Sequence, residues 1–231
     1  MNAYKHIFFD LDNTLWDFER NSTETLHEMY HKFELSALGV SSPEFFIRTY
    51  QERNIMMWEQ YRLGKIDKDT LRNKRFELTF WDMGLDSSLV PRSMADEYLL
   101  VAPKKNYLFP HAHEVLSYLR EKYRLHIITN GFVEAQYIKL EAADLSKYFD
   151  EIIISEHTGF KKPDVNIFNH AAEKANATAK ECLMVGDGLE VDVVGAQNAG
   201  WDAVYFNPAK TSHEQKPTYE ISSLDELKNF L

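Results

Sequence analysis

Four short apolar runs each end at a cluster of polar, chemically capable residues, and this recurrence constrains the fold more than any other feature of the chain. Ile7-Phe8-Phe9 runs into Asp10, and Leu125-His126-Ile127-Ile128 into Thr129-Asn130-Gly131. Ile152-Ile153-Ile154 runs into Ser155, and Leu183-Met184-Val185 into Gly186-Asp187-Gly188. Runs this short, rich in Ile, Val and Phe, suit strands buried on both faces. Ala203-Val204-Tyr205-Phe206 is a fifth candidate. Helical spacing fills the gaps. Val115, Leu116 and Leu119 mark one helix, and Val133, Tyr137, Ile138 and Leu140 another. A third, starting near Asp164, places Ile167, Phe168, Ala171 and Ala172 on one face; a fourth follows Asp187 and stops at Gly200, a residue suited to a helix C-terminus. Alternating strands and helices predict an α/β fold with a parallel sheet. Ligands of such sheets gather at the carboxyl ends of the strands, which is where all four polar clusters fall.

Residues from about Leu15 to about Pro103 interrupt this alternation with consecutive helical patterns. Asn21 and Glu24 have the spacing of a capping box ahead of Leu26, Met29, Tyr30 and Phe33. Ser42-Pro43 opens a second helix that Gly64 can close. Asp67 or Asp69 can cap a third, ending near Gly84, and Ser87 or Ser88 can begin a fourth. The expected organisation is a core of residues 1–15 and 104–231, with residues 16–103 as a helical insertion, a lid over the strand ends.

Asp10 and Asp12 lie two apart, so an extended chain can turn both carboxylates to one side. Two close anions need a shared proton or a cation. Asp187 and Asp192 form a second acidic cluster, at the end of another predicted strand. If those two strands are neighbours, three or four carboxylates converge, and a hard cation with oxygen ligands such as Mg²⁺ fits them best. Thr129-Asn130-Gly131 offers a hydroxyl and backbone amides to phosphate oxygens. Lys162, ahead of Pro163, offers a point charge; Lys161 beside it reads as a solvated lysine, and the residues alone rank the two only weakly. Trp16, Phe18 and Phe132 flank the first two clusters and could stack on a base; the same rings suit core or hinge packing.

The charge balance narrows the partners. Lys and Arg number 26 against 36 Asp and Glu, a formal net charge of −10. Such a surface repels nucleic-acid polymers and anionic membranes, whereas a small phosphate ester stays possible where a bound metal sets the local field. Nothing in the chain points to a protein partner. Cys182, in the apolar run Cys182-Leu183-Met184-Val185, is the only cysteine and suits an inert buried thiol. With no segment apolar for the ~18 residues a membrane span needs, and no signal-like leader ahead of Asp10, the expectation is a cytoplasmic protein.

Taken in order, Asp10-Leu11-Asp12-Asn13-Thr14, Thr129-Asn130-Gly131, Lys162-Pro163-Asp164 and Gly186-Asp187 with Asp192 resemble the four motifs of the haloacid dehalogenase superfamily. The resemblance spans the chain and implies a Rossmann-like parallel-sheet core with an inserted α-helical cap. It implies Asp10 as nucleophile, Asp12 as general acid and base, Thr129 and Asn130 at the phosphate, and Lys162 beside both nucleophile and phosphoryl group. It places Mg²⁺ on Asp10, the backbone carbonyl of Asp12, and Asp187, with Asp192 in support. Dehalogenases of the superfamily lack the second acid, so Asp12 implies phosphoryl transfer. Thr129-Asn130-Gly131-Phe132, Ile154-Ser155-Glu156 and Leu183-Met184-Val185-Gly186-Asp187 are most similar to the pyrimidine 5′-nucleotidases. Sugar-phosphate phosphatases share several of these words, a phosphomutase is an alternative on the same core, and a non-catalytic binding protein has no need of the full set. Gly188 stands where many relatives carry Ser or Thr, and His111 where many carry Gly.

Overall fold

The computed structural model describes residues 4–231. They divide into two compact units, one running up to Phe18 and resuming at Asn106, the other spanning Glu19–Lys105. The first unit is built on β1 (His6–Phe9), β2 (Arg124–Thr129), β3 (Glu151–Ile154), β4 (Cys182–Gly186), β5 (Asp202–Phe206) and β6 (Tyr219–Ile221). All pairs are parallel, in the order β3-β2-β1-β4-β5-β6. The two strands that end in acidic clusters, β1 and β4, are neighbours, with Phe9 paired to Val185. The chain winds outward from β1 through β2 to β3, then returns to β4 and winds the other way. The carboxyl end of β1 is therefore the topological switch point, the crevice where such sheets bind ligands. The sixth strand escapes sequence reading because Tyr219-Glu220-Ile221 is too short to show a period.

The second unit holds most of α1 (Phe18–Lys32) and all of α2 (Pro43–Arg62), α3 (Lys68–Asp82) and α4 (Met94–Val101). Helix α2 begins where Ser42 and Pro43 predict it, with Ser42 Oγ accepting from Phe45 N at 3.2 Å, and Gly64 follows its end at φ +68°. Asp67, not Asp69, caps α3, and Gly84 closes it at φ +78°. Two expectations need correction. Helix α1 starts at Phe18, and Asn21 lies buried inside it rather than at its cap. Ser87 opens a single 3₁₀ turn, Ser87–Leu89, and the fourth helix begins only at Met94. The interior of this unit is apolar apart from a few groups such as Arg75, whose guanidinium lies 4.8 Å from the ring centre of Tyr98 and bonds Asn54 Oδ1 at 3.0 Å.

Helices α5 (Ala112–Arg120), α6 (Val133–Ala142), α7 (Ser155–Thr158), α8 (Val165–Lys174) and α9 (Gly195–Asn198) flank the sheet. Alternation along the strands sorts side chains to the two faces. Ile7, Phe9, Leu183 and Val185 pack with Val115, Leu116 and Leu119 of α5 on one face. Phe8, Cys182 and Met184 pack with Ile167, Phe168 and Ala171 of α8 on the other. The buried thiol of Cys182 is pushed up to about 12 by burial. His111 takes φ +68° at the start of α5, the left-handed conformation that favours glycine. Among the described residues, no helix is long and apolar enough to cross a membrane.

At the amino end of the strands His6 Nδ1 and His126 Nε2 lie 3.0 Å apart, their rings stacked and buried. Burial first, and the neighbouring His6 second, hold His126 down at about 4. A base whose folded value is depressed gives stability that is present above its unfolded value and lost as pH falls. The expected result is a loss on the order of 2–3 kcal/mol as pH drops from 6.5 to about 4. Urea titrations of the native protein and of His126→Gln across that window check it. A variant as acid-sensitive as the parent would remove the histidine pair as the cause.

Candidate active site

The polar cluster after β1 meets the cluster after β4 because the two strands pair in register. Asp10, Asp187 and Asp192 each bring a carboxylate oxygen within 4.8 Å of the others. Asp10 is held by the strand itself, its N–H donating to Val185 O at 2.9 Å. Asp187 is held by Thr14: Thr14 Oγ1 donates to Asp187 Oδ1 at 3.1 Å and accepts from Asp187 N at 3.0 Å. Asp192 lies in a π-helical stretch, Leu189–Val194, that follows Gly188. Such widened turns recur at functional sites. Gly186 leaves the space, since a Cβ there would lie 2.3 Å from Asp192 Oδ2.

Of the two lysines, Lys162 is the one that reaches the carboxylates. It is 2% exposed, and its Nζ donates to Asp10 Oδ1 and to Asp192 Oδ1, both at 2.6 Å. The loop that delivers it is fastened by Asn130, whose Oδ1 accepts from Lys162 N at 2.8 Å and whose Nδ2 donates to Lys162 O at 2.9 Å. The Asn130 side chain is thus engaged at both ends with the lysine backbone, and one N–H of its Nδ2 remains as a donor. Thr129 is buried at the end of β2, with Oγ1 accepting from Gly131 N at 3.1 Å, which leaves its own O–H as a donor.

The electrostatics show a site short of positive charge. Burial, then the charges of Asp192 and Asp12, push Asp10 up to about 7 against the opposing pull of Lys162. Asp187 is raised well above the carboxylate range by burial and by Asp10 and Asp192. Lys162 is raised, because its two carboxylate partners outweigh the cost of burying it. One ammonium among three carboxylates leaves a site that suits a hard divalent cation. The three carboxylates differ in their hydrogen bonds. Both oxygens of Asp192 accept from the protein, Oδ1 from Lys162 and Oδ2 from Gly188 N at 2.9 Å. Asp10 and Asp187 each keep an oxygen without a hydrogen-bond partner among the described residues.

Asp12 does not join this cluster through its side chain, so three carboxylates converge rather than four. Its Oδ1 accepts from Lys139 Nζ at 2.5 Å and its Oδ2 from Gln136 Nε2 at 2.8 Å. Neither partner was visible to apolar periodicity. That periodicity also misplaces α6: Tyr137 is 45% exposed, and the buried face is Ala135, Gln136, Lys139 and Leu140. Polar side chains occupy the inner face because it looks onto a carboxylate. The three rings fare differently from a stacking surface. Trp16 and Phe132 are buried, at 1% and 3% exposure, and only Phe18 is partly open. The Trp16 ring instead lies under Lys139, with Nζ 4.4 Å from its centre.

Comparisons with known proteins give matches along nearly the whole chain. The model of the haloacid dehalogenase-like hydrolases matches residues 4–200. The pyrimidine 5′-nucleotidase PynA of Streptococcus pneumoniae is 32% identical over 99% of this chain and 95% of its own length. The pyrimidine 5′-nucleotidase YjjG of Escherichia coli is 33% identical over 97% and 96%. The crystal structure of the HAD-hydrolase YfnB of Bacillus subtilis, bound to magnesium, superposes with a TM-score of 0.87 at 29% identity, covering 98% of each chain.

Proposed function

The chain belongs to the haloacid dehalogenase-like hydrolases, and from that premise we propose that it is a Mg²⁺-dependent phosphatase acting on pyrimidine nucleoside 5′-monophosphates through an aspartyl-phosphate on Asp10. The observation that carries the phosphatase reading is the buried meeting of Asp10, Lys162, Asp187 and Asp192 at the switch point of the sheet. The nucleotide reading is supported by PynA and YjjG, whose names describe that activity, and by their similarity along nearly the whole chain.

The Asp10 carboxylate attacks phosphorus, and the bond from phosphorus to the ester oxygen breaks. Asp12 gives that leaving oxygen a proton. Water then attacks the phosphorus of the aspartyl-phosphate while Asp12 takes its proton, and the bond to Asp10 breaks to release phosphate and restore the carboxylate. Such acid–base help is worth about 10²–10⁴-fold. Lys162 orients Asp10 and offsets charge on the phosphoryl oxygens, and the Thr129 hydroxyl donates to one of them. Asp10, Asp187 and the Asp12 backbone carbonyl would hold Mg²⁺, which supplies Lewis-acid stabilisation of the phosphoryl charge.

The phosphoryl-handling residues do not distinguish one leaving group from another, so a substrate panel tests the finer reading. UMP or CMP is expected to show a kcat/KM at least about tenfold above glucose 6-phosphate, the effect of ~1.4 kcal/mol of base recognition. Sugar phosphates outperforming every nucleotide would reject the nucleotidase and leave the phosphatase. Loss of inorganic phosphate release in favour of transfer to a second sugar would mark a mutase.

A further inference from the structure

Helix α6 carries a buried polar pair that the phosphoryl site does not account for. Gln136 and Lys139 stand three residues apart, so they share a helix face. They are 1% and 6% exposed, and each donates to a different oxygen of Asp12. The surroundings are fitted to this arrangement in three places. Gly131 has no side chain where a Cβ would come within 1.5 Å of Gln136 Nε2, so glycine there is what lets the amide reach across. Glu156 Oε2 accepts from Val133 N at 2.7 Å and fastens the first turn of α6. The Lys139 ammonium lies against the rings of Trp16 and Phe18, at 4.4 and 5.7 Å from their centres.

The pair is also poorly explained as packing. Gln136 Oε1 is buried with no hydrogen-bond partner, a state that costs roughly 1–3 kcal/mol, and the Lys139–Asp12 ion pair withdraws a lysine ammonium from water against a carboxylate that stays partly exposed, an arrangement that is weak evidence for stability. We propose that Gln136 and Lys139 are positioning residues that hold the Asp12 carboxylate in the orientation from which it activates water against the aspartyl-phosphate. This rests on the reading of Asp12 as general acid and base given above. The clamp serves the second half of the reaction most, because a good leaving group departs from phosphorus without a proton, whereas water does not attack well without a base.

The test uses 4-nitrophenyl phosphate, whose leaving group needs no acid. For Lys139→Met, kcat should fall about 10–100-fold while kcat/KM stays within about twofold, and rapid mixing should show a burst of nitrophenol near one equivalent as phosphoenzyme accumulates. Gln136→Leu should show the same split more weakly, and Lys139→Arg should recover most of kcat. A merely structural role would lower kcat and kcat/KM together with no burst, and that result overturns the proposal, as does an unchanged kcat. Asp12→Asn, run alongside, keeps the two ideas separate. If it shows the split and Lys139→Met does not, only the clamp falls. If it turns over as the native enzyme does, the role of Asp12 itself falls, and the clamp falls with it.

Discussion

Asp10→Asn is expected to lower turnover of any phosphate ester by on the order of 10⁴-fold or more, since a neutral amide does not form the acyl-phosphate that the reaction passes through. The folded state should survive. Asp10 is 8% exposed and held up to about 7 by burial and by its acidic neighbours, so in metal-free protein above pH 7 its ionised form works against folding. An isosteric neutral side chain removes that term while still accepting from Lys162. The metal-free variant should therefore melt no lower than the parent at pH 8. Scanning calorimetry and a phosphate-release assay on the same preparation check both halves. A cooperatively folded variant with native turnover would refute the nucleophile. An unfolded one would show that the carboxylate is structural as well.

Chelation should produce the second large effect, with a pH signature of its own. Activity is expected to fall at least about 10³-fold in excess EDTA and to return with Mg²⁺. Asp10 and Asp187 both have raised values in the folded protein, Asp10 reaching about 7. A carboxylate raised above its unfolded value gives stability that is complete below that value and lost as pH rises through the folded one. Metal-free protein therefore forfeits this contribution between about pH 4 and pH 7. A bound cation needs the ionised forms and restores it. The stabilisation by Mg²⁺ should be small at pH 5 and grow to ~2–3 kcal/mol at pH 8 for a metal concentration of about 100 times Kd. Asp187→Ala should abolish both the restored activity and the pH-dependent gain. Equal stabilisation at the two pH values would disconnect the metal from these carboxylates.

What the sequence made legible was what apolar patterning marks. Phe9, Thr129 and Val185 end buried runs, so the sequence alone places the reactive residues at or just beyond those ends. The pairing of β1 with β4, which brings Asp10 to Asp187, was a condition the sequence posed and the sheet met. What stayed hidden was polar burial. Gln136 and Lys139 look like the solvent side of an amphipathic helix, and only the Asp12 carboxylate facing them turns that side inward. Trp16 shows the converse. An aromatic beside a motif suits either a stacking platform or core packing, and the ring lies in the core beneath a lysine. The place of Asn130 beside Thr129 suggests a phosphate contact, but nothing local shows that its side chain also ties down the backbone of a residue 32 positions away. Such long-range hydrogen bonds leave no local signal.

The covalent intermediate is the claim on which the chemistry turns, and it is open to direct capture. Native enzyme mixed with substrate and quenched in acid within milliseconds should retain an acyl-phosphate, which borohydride reduces to the alcohol. Mass spectrometry of the digest is expected to find that reduction at position 10 and nowhere else, in an amount that rises when Lys139→Met slows the second half of the reaction. Reduction at no residue, or at Asp12 or Asp187 in place of Asp10, would contradict the account.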